Sequence, residues 1–121
     1  MKIERFEDIE AWKEARKLVQ HVYRSLRDCR DFGFCDQMQR AAVSVMSNIA
    51  EGFNRGSNKE YVQFLVVARA SASEVRSLSY AALDLAHITE ADFDEISKGC
   101  VTTANLINGF IRYLRSSTRK G

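Results

Sequence analysis

The sequence predicts an all-α fold, an antiparallel up-down-up-down four-helix bundle. Three observations predict it. The 121 residues contain no proline and only 6 glycines, so little interrupts long helices. Apolar residues recur at three- and four-residue steps through four successive segments. Short stretches with turn or capping signals separate those segments, and short connections favour antiparallel neighbours.

The first helix is expected from about residue 7 to 28. Ala11, Trp12, Ala15, Leu18, Val19, Val22 and Leu26 form one broad apolar face, with Trp12 placed to close one end of a core. Lys13, Lys17, Gln20, Arg24 and Arg27 make a separate polar stripe. Residues 28–34 break the period and contain Gly33, which reads as a loop whose Phe32 and Phe34 fold back on the core.

The second helix is expected over residues 35–53, with Met38, Ala41, Ala42, Val45, Ile49 and Phe53 inward. Its later part is distinctive. Small residues allow close helix contact, while Arg40, Asn48 and Glu51 bring polar groups towards the seam, where a buried polar group needs a partner. Asn48 is expected to hydrogen-bond across that seam to a serine or to backbone, as polar positions do in coiled bundles. Gly52, Asn54 and Gly56 supply an ending and a turn.

Ser57 and Glu60 then form a capping box that opens a third helix running to about residue 87. Tyr61, Phe64, Leu65, Ala68, Ala72, Val75, Leu78, Ala82 and Leu85 mark its buried side. Thr89 caps a fourth helix whose first turn carries Glu90 and Asp92, acids suited to the positive helix end. Phe93, Ile96, Cys100, Thr103, Ile107, Phe110 and Leu114 continue the inner face, and residues from about 116 should fray. The whole chain, 1–121, reads as a single domain of a size that buries a core.

Composition excludes several classes. Hydrophobic content of 45% argues against wholesale disorder. No apolar run approaches a membrane span, and residues 2–8 lack the apolar stretch of a signal peptide, so the expectation is a cytoplasmic protein without a membrane partner. Cys29, Cys35 and Cys100 make neither a CxxC pair nor a zinc module and read as reduced, isolated thiols. Phosphate-loop, dinucleotide-binding, HExxH and nucleophile-elbow motifs are all missing. No cofactor is expected.

Glu51, Glu60 and Glu74 could hold a metal in a bundle, but the di-iron pattern also needs Glu-x-x-His units. Neither His21 nor His87 follows a glutamate at that spacing. Ion pairs or caps with Arg40, Arg55 and Arg69 are the expected role. His21 and His87 read as peripheral or packing residues. A metal-dependent enzyme is the least supported class, and the expectation is a protein that is not an enzyme.

The net charge is only +2, yet charge is blocked along the chain. Residues 84–95 are acidic, while 16–30 and 98–121 are mainly basic. Such blocks steer a charged partner or a second copy of the chain. Lys13, Lys17, Arg24 and Arg27 on one helical face, with Arg112, Arg115, Arg119 and Lys120 towards the C-terminus, are the candidate contacts to RNA or DNA. Glu10, Glu14 and Asp28 dilute that field, and no established recognition motif accompanies it.

A set of residues carries a family resemblance. It comprises Phe6, Trp12, Ala15, Leu18 and Tyr23; the run Gln37-Met38-Gln39-Arg40-Ala41-Ala42-Val43-Ser44; the run Ser47-Asn48-Ile49-Ala50-Glu51-Gly52-Phe53-Asn54-Arg55; and Glu60, Phe64, Leu65, Ala68, Arg69, Ser71 and Glu74. Together they resemble the proteins encoded within intervening sequences of bacterial 23S ribosomal RNA genes, the S23 family, over nearly the whole chain. The resemblance implies a four-helix bundle that self-associates, as rings of five, with Arg40, Asn48, Glu51, Gly52, Arg55, Glu60 and Glu74 as the family positions. A related branch comprises accessory proteins of diversity-generating retroelements, which partner a reverse transcriptase and bind nucleic acid. The ribosomal-gene branch has no established biochemical activity. The sequence departs from the pattern twice: residues 29–34 lack the usual Phe-Pro pair, and Ala70 stands where glycine is usual.

The function expected is therefore a non-enzymatic homo-oligomeric assembly or protein-interaction module. A nucleic-acid-binding accessory protein is the alternative, its partner being RNA, DNA or a nucleic-acid-associated protein.

Overall fold

In the computed structural model, which describes residues 3–117, four helices account for most of the chain: α1 (Glu10–Ser25), α2 (Phe32–Phe53), α3 (Asn58–Asp84) and α4 (Glu90–Ser116). Chain neighbours pack together, α4 returns to close against α1, and the diagonal pairs do not meet. This is the expected all-α, up-and-down four-helix bundle, with no strand among the described residues. Thr118, Arg119, Lys120 and Gly121 lie outside them, so most of the expected frayed tail does too.

Each helix start has a local cause. A 3-10 turn at Phe6–Asp8 precedes α1, and the Ile9 N–H donates to the Phe6 carbonyl. The Ser57 hydroxyl accepts from the Glu60 N–H at 3.2 Å, and Thr89 does the same for the Asp92 N–H at 3.1 Å. The Glu60 carboxylate reaches back as expected but accepts from the Gly56 N–H, at 3.3 Å.

Several boundaries differ from expectation. Helix α1 starts at Glu10 and ends at Ser25, not at 7 and 28. Helix α2 begins three residues early, because the Asp31 carboxylate caps it by accepting from the Phe34 N–H. The supposed loop residues Phe32 and Gly33 are thus its first turn. Phe34 packs on the core, but Phe32 is 71% exposed and does not fold back. Helix α3 stops at Asp84, and Leu85, expected to be inward, is exposed. Ala86 there has φ 60°, its N–H donates to the Leu83 carbonyl, and the His87 N–H donates to the Ala82 carbonyl. That is a Schellman ending with alanine in the position glycine normally takes.

All four helices feed two core clusters, one towards each end. Ala11, Ala15, Val45, Ile49, Leu65, Ala68, Ile107 and Ile111 belong to the first. Leu18, Val22, Met38, Ala42, Val75, Ala82, Ile96 and Cys100 belong to the second. The pairing of early α1 with late α2, early α3 and late α4 follows from the antiparallel order. No described helix is long and apolar enough to cross a membrane.

Candidate functional site

Helices α2 and α3 are in tight contact at Gly52, within the family-type run. A Cβ added at Gly52 would sit 2.6 Å from Tyr61 Cδ1 and 2.9 Å from Phe64 Cβ, so only glycine fits without moving α3. One helical turn on, the Arg55 guanidinium lies 4.6 Å from the Phe64 ring centroid and donates to the Glu51 carboxylate at 2.6 Å. Glu51, Gly52 and Arg55 therefore hold the α2–α3 corner together.

Farther along the same groove, Asn48 Nδ2 donates to the Ser44 carbonyl at 2.8 Å and meets Ser44 Oγ at 3.0 Å. Ser44 Oγ in turn meets Ser71 Oγ at 2.9 Å. The cross-seam bond expected of Asn48 is thus made by Ser44, with Asn48 orienting it from its own helix.

Arg40, Ser44, Asn48, Glu51 and Arg55 succeed one another at three- and four-residue steps, and so do Phe64, Val67, Ser71 and Glu74. Asn48, Glu51, Gly52 and Arg55 consequently lie along the α2–α3 contact made by Ser44–Ser71 and Arg55–Phe64, with Glu60 at its turn; Glu74 follows Ser71 by three residues on α3. Contrary to expectation, Arg40 and Glu51 are not within the seam: both are exposed, Arg40 pairing with Asp36 of its own helix at 2.8 Å. They lie one turn-position off the inward stripe, which is why their charge stays in water. Of the expected Glu–Arg pairs, only Glu51–Arg55 forms among the described residues; Arg69 instead donates to Asn108 Oδ1 at 2.7 Å, tying α3 to α4. Arg40 is also held charged above its usual range, first by its hydrogen bond to Asp36. Val67, three residues after Phe64 on the same side of α3, is 49% accessible.

Among the described residues, the basic side chains of α1 and α4 do not share one surface. Lys13 and Lys17 each bond the carboxylate one turn before, Glu10 at 3.3 Å and Glu14 at 3.1 Å. Arg24 and Arg27 are exposed and have no ion pair among the described residues. On α4, the side facing α1 is marked by Gly99, which abuts Leu18, and by Glu95, which is 3.9 Å from His21. Arg112 and Arg115 instead follow Asn108 by four and seven residues and so share its α3-facing side. Two separated basic surfaces result. Arg119 and Lys120 lie outside the described residues.

One feature escaped sequence reading. A cleft of about 560 Å³ opens at the end of the bundle that holds the α2–α3 turn. Phe53, Tyr61, Leu106, Phe110 and Leu114 wall it, with Glu10 and Arg55 also lining it. Its polar groups serve the fold: Ser57 caps α3, Asn58 Nδ2 donates to the Leu114 carbonyl at 3.2 Å, and Arg55 holds Glu51. Tyr61, whose buried hydroxyl has no partner, has its phenol pushed far up by burial. Among the described residues that line it, no hydrogen bond pairs a nucleophile with a base. Nor do three or more His, Cys, Asp or Glu gather anywhere among the described residues to hold a metal ion. The pattern could not announce the cleft, because its walls read as ordinary inward positions.

The family model described as 23S rRNA-intervening sequence protein matches residues 7–109. The chain belongs to that family. The match spans the α2–α3 groove and both of its helices. A solved structure of an S23 ribosomal protein family member of unknown function from Bacteroides thetaiotaomicron superposes with a TM-score of 0.78 at 18% identity, covering 84% of this chain and 98% of that one. At that identity the likeness is one of fold. No functionally curated protein matches the sequence. The matched range includes Gly52, where an added Cβ would meet Tyr61 and Phe64 of α3.

Proposed function

We propose that this intervening-sequence protein is a non-enzymatic assembly module that self-associates through its α2–α3 face. The observation that carries the reading is exposed Val67, on the side of α3 that carries Phe64 and Ser71, where the Glu51–Arg55 pair of α2 packs over Phe64. A face with alternating charge and an apolar centre suits a protein partner, above all a second copy. Nucleic acid calls for positive charge left unneutralised over one surface. Rings of five are the assembly the family resemblance implies.

Sedimentation at several concentrations tests it. A mass that is a multiple of 13.8 kDa is expected, falling to the monomer in a folded Val67→Lys variant. A monomer at every concentration would sink the proposal.

The second reading is an accessory protein that contacts RNA, DNA or a nucleic-acid-associated protein, as in the retroelement branch. Exposed Arg24 and Arg27, without carboxylate partners among the described residues, support it. Binding of RNA and DNA, titrated against salt, separates the two. Lys17→Gln, Arg24→Gln and Arg27→Gln combined should abolish binding in a folded protein if this reading holds. No binding even at low salt removes it.

A further inference from the structure

We propose that the cleft at the α2–α3 turn binds a neutral aromatic small molecule with a carbonyl oxygen, which accepts a hydrogen bond from the Tyr61 hydroxyl. Its volume of about 560 Å³ lies within the roughly 300–1,000 Å³ of small-molecule sites. Phe53, Tyr61, Leu106, Phe110, Tyr113 and Leu114 supply its apolar walls, so α2, α3 and α4 all contribute.

The walls favour a flat ring. Tyr61 stands between two other rings of the cleft. Its centroid is 6.3 Å from that of Phe53 and 5.2 Å from that of Phe110, each pair edge to face at 79°. Phe110 in turn stacks on Tyr113 at 6.2 Å and 24°. Tyr113 is 52% exposed, so this aromatic run continues from the buried phenol out to solvent. A ring system entering along it exchanges water for aromatic contacts.

The hydroxyl sets the polar requirement. Tyr61 is 8% exposed, and its oxygen is buried with no hydrogen-bond partner among the described residues. A buried donor left unpaired costs free energy that an arriving acceptor recovers. Burial pushes the phenol far up, so it keeps the proton it would donate. The charged side chains of the cleft are already engaged. Glu10 accepts from Lys13 at 3.3 Å, while Arg55 donates to Glu51 at 2.6 Å and lies over the Phe64 ring. An ionic ligand would lose its water and gain no counter-charge, so the site selects a neutral one. Binding here does not require self-association and is read per chain.

The test titrates the intact protein against PRODAN, a neutral aminonaphthalene ketone whose emission moves to the blue out of water. Saturable, blue-shifted emission at one probe per chain is expected. Acetylnaphthalene should displace it, and charged naphthoate should do so roughly tenfold more weakly. Isopropenylnaphthalene, in which a CH₂ replaces the ketone oxygen, separates ring packing from the hydrogen bond. Tyr61→Phe should weaken acetylnaphthalene roughly three- to tenfold and leave isopropenylnaphthalene unchanged. Leu106→Lys, a charge in the half-buried wall, should abolish the saturable signal while circular dichroism shows intact helices. If that variant unfolds, the Tyr61→Phe comparison still decides, because it keeps the ring. The proposal falls if the emission does not shift, if folded Leu106→Lys binds like the parent, or if naphthoate displaces as well as the ketone. It falls equally if Tyr61→Phe affects ketone and hydrocarbon alike. Probe expelled as protein concentration rises would give the cleft to a second copy of the chain and overturn it too.

Discussion

Two seams of this bundle carry a glycine at the helix contact, and they are built differently. At the α2–α3 seam a methyl on Gly52 would meet a ring carbon at 2.6 Å and Phe64 Cβ at 2.9 Å. At the α1–α4 seam a methyl on Gly99 would meet only the end of Leu18, at 3.3 Å. The first contact is against an atom fixed to the α3 backbone and a ring boxed in by Phe53 and Phe110. The second is against a side chain that can rotate. The α2–α3 seam also has the serine–serine bond, whereas the ties between α1 and α4 include the long His21–Glu95 approach at the surface. Identical residue type therefore means fixed spacing in one place and slack in the other. The family run lies on the fixed seam.

Gly52→Ala breaks this contrast most directly. Overpacking there should lower stability by about 1–3 kcal/mol, more than the helix-propensity gain of about 1 kcal/mol returns. Chemical denaturation that finds it as stable as the parent would remove the close-approach account. Next in size is Ser71→Ala, which leaves Ser44 Oγ without its partner on α3. A loss of about 1 kcal/mol is expected, with the helical signal unchanged before melting. A double-mutant cycle with Ser44→Ala should show that the two losses are not independent. The smallest effect is Gly99→Ala. Leu18 yields by a few tenths of an ångström, and stability should rise by about 0.5 kcal/mol as helix propensity improves. A drop as large as that of Gly52→Ala would mean the two seams are equally tight.

Much of this was legible. The four helices, the Ser57 and Thr89 caps and nearly every inward position follow from periodicity and local hydrogen-bonding chemistry. What was not legible has local reasons. Gly33 reads as a breaker, but nothing constrains it in a first turn opened by Asp31. The spacing runs α3 past its true end because Ala86, not the usual glycine, takes the left-handed conformation that stops it. Arg40 and Glu51 look inward in a run of small residues, yet one position of offset puts them in solvent. Whether α1 and α4 pool their basic residues depended on which side of α4 meets α1, and that is a property of packing rather than of sequence spacing.

The Asp31 carboxylate ties together what a chain diagram draws as unrelated. One oxygen accepts from the Phe34 amide and the other faces His87, some fifty residues farther on. Local opening at that end of the bundle should then be concerted: the amides of Phe34 and His87 should exchange with deuterium through a shared event, and replacing Asp31 with alanine should speed both together.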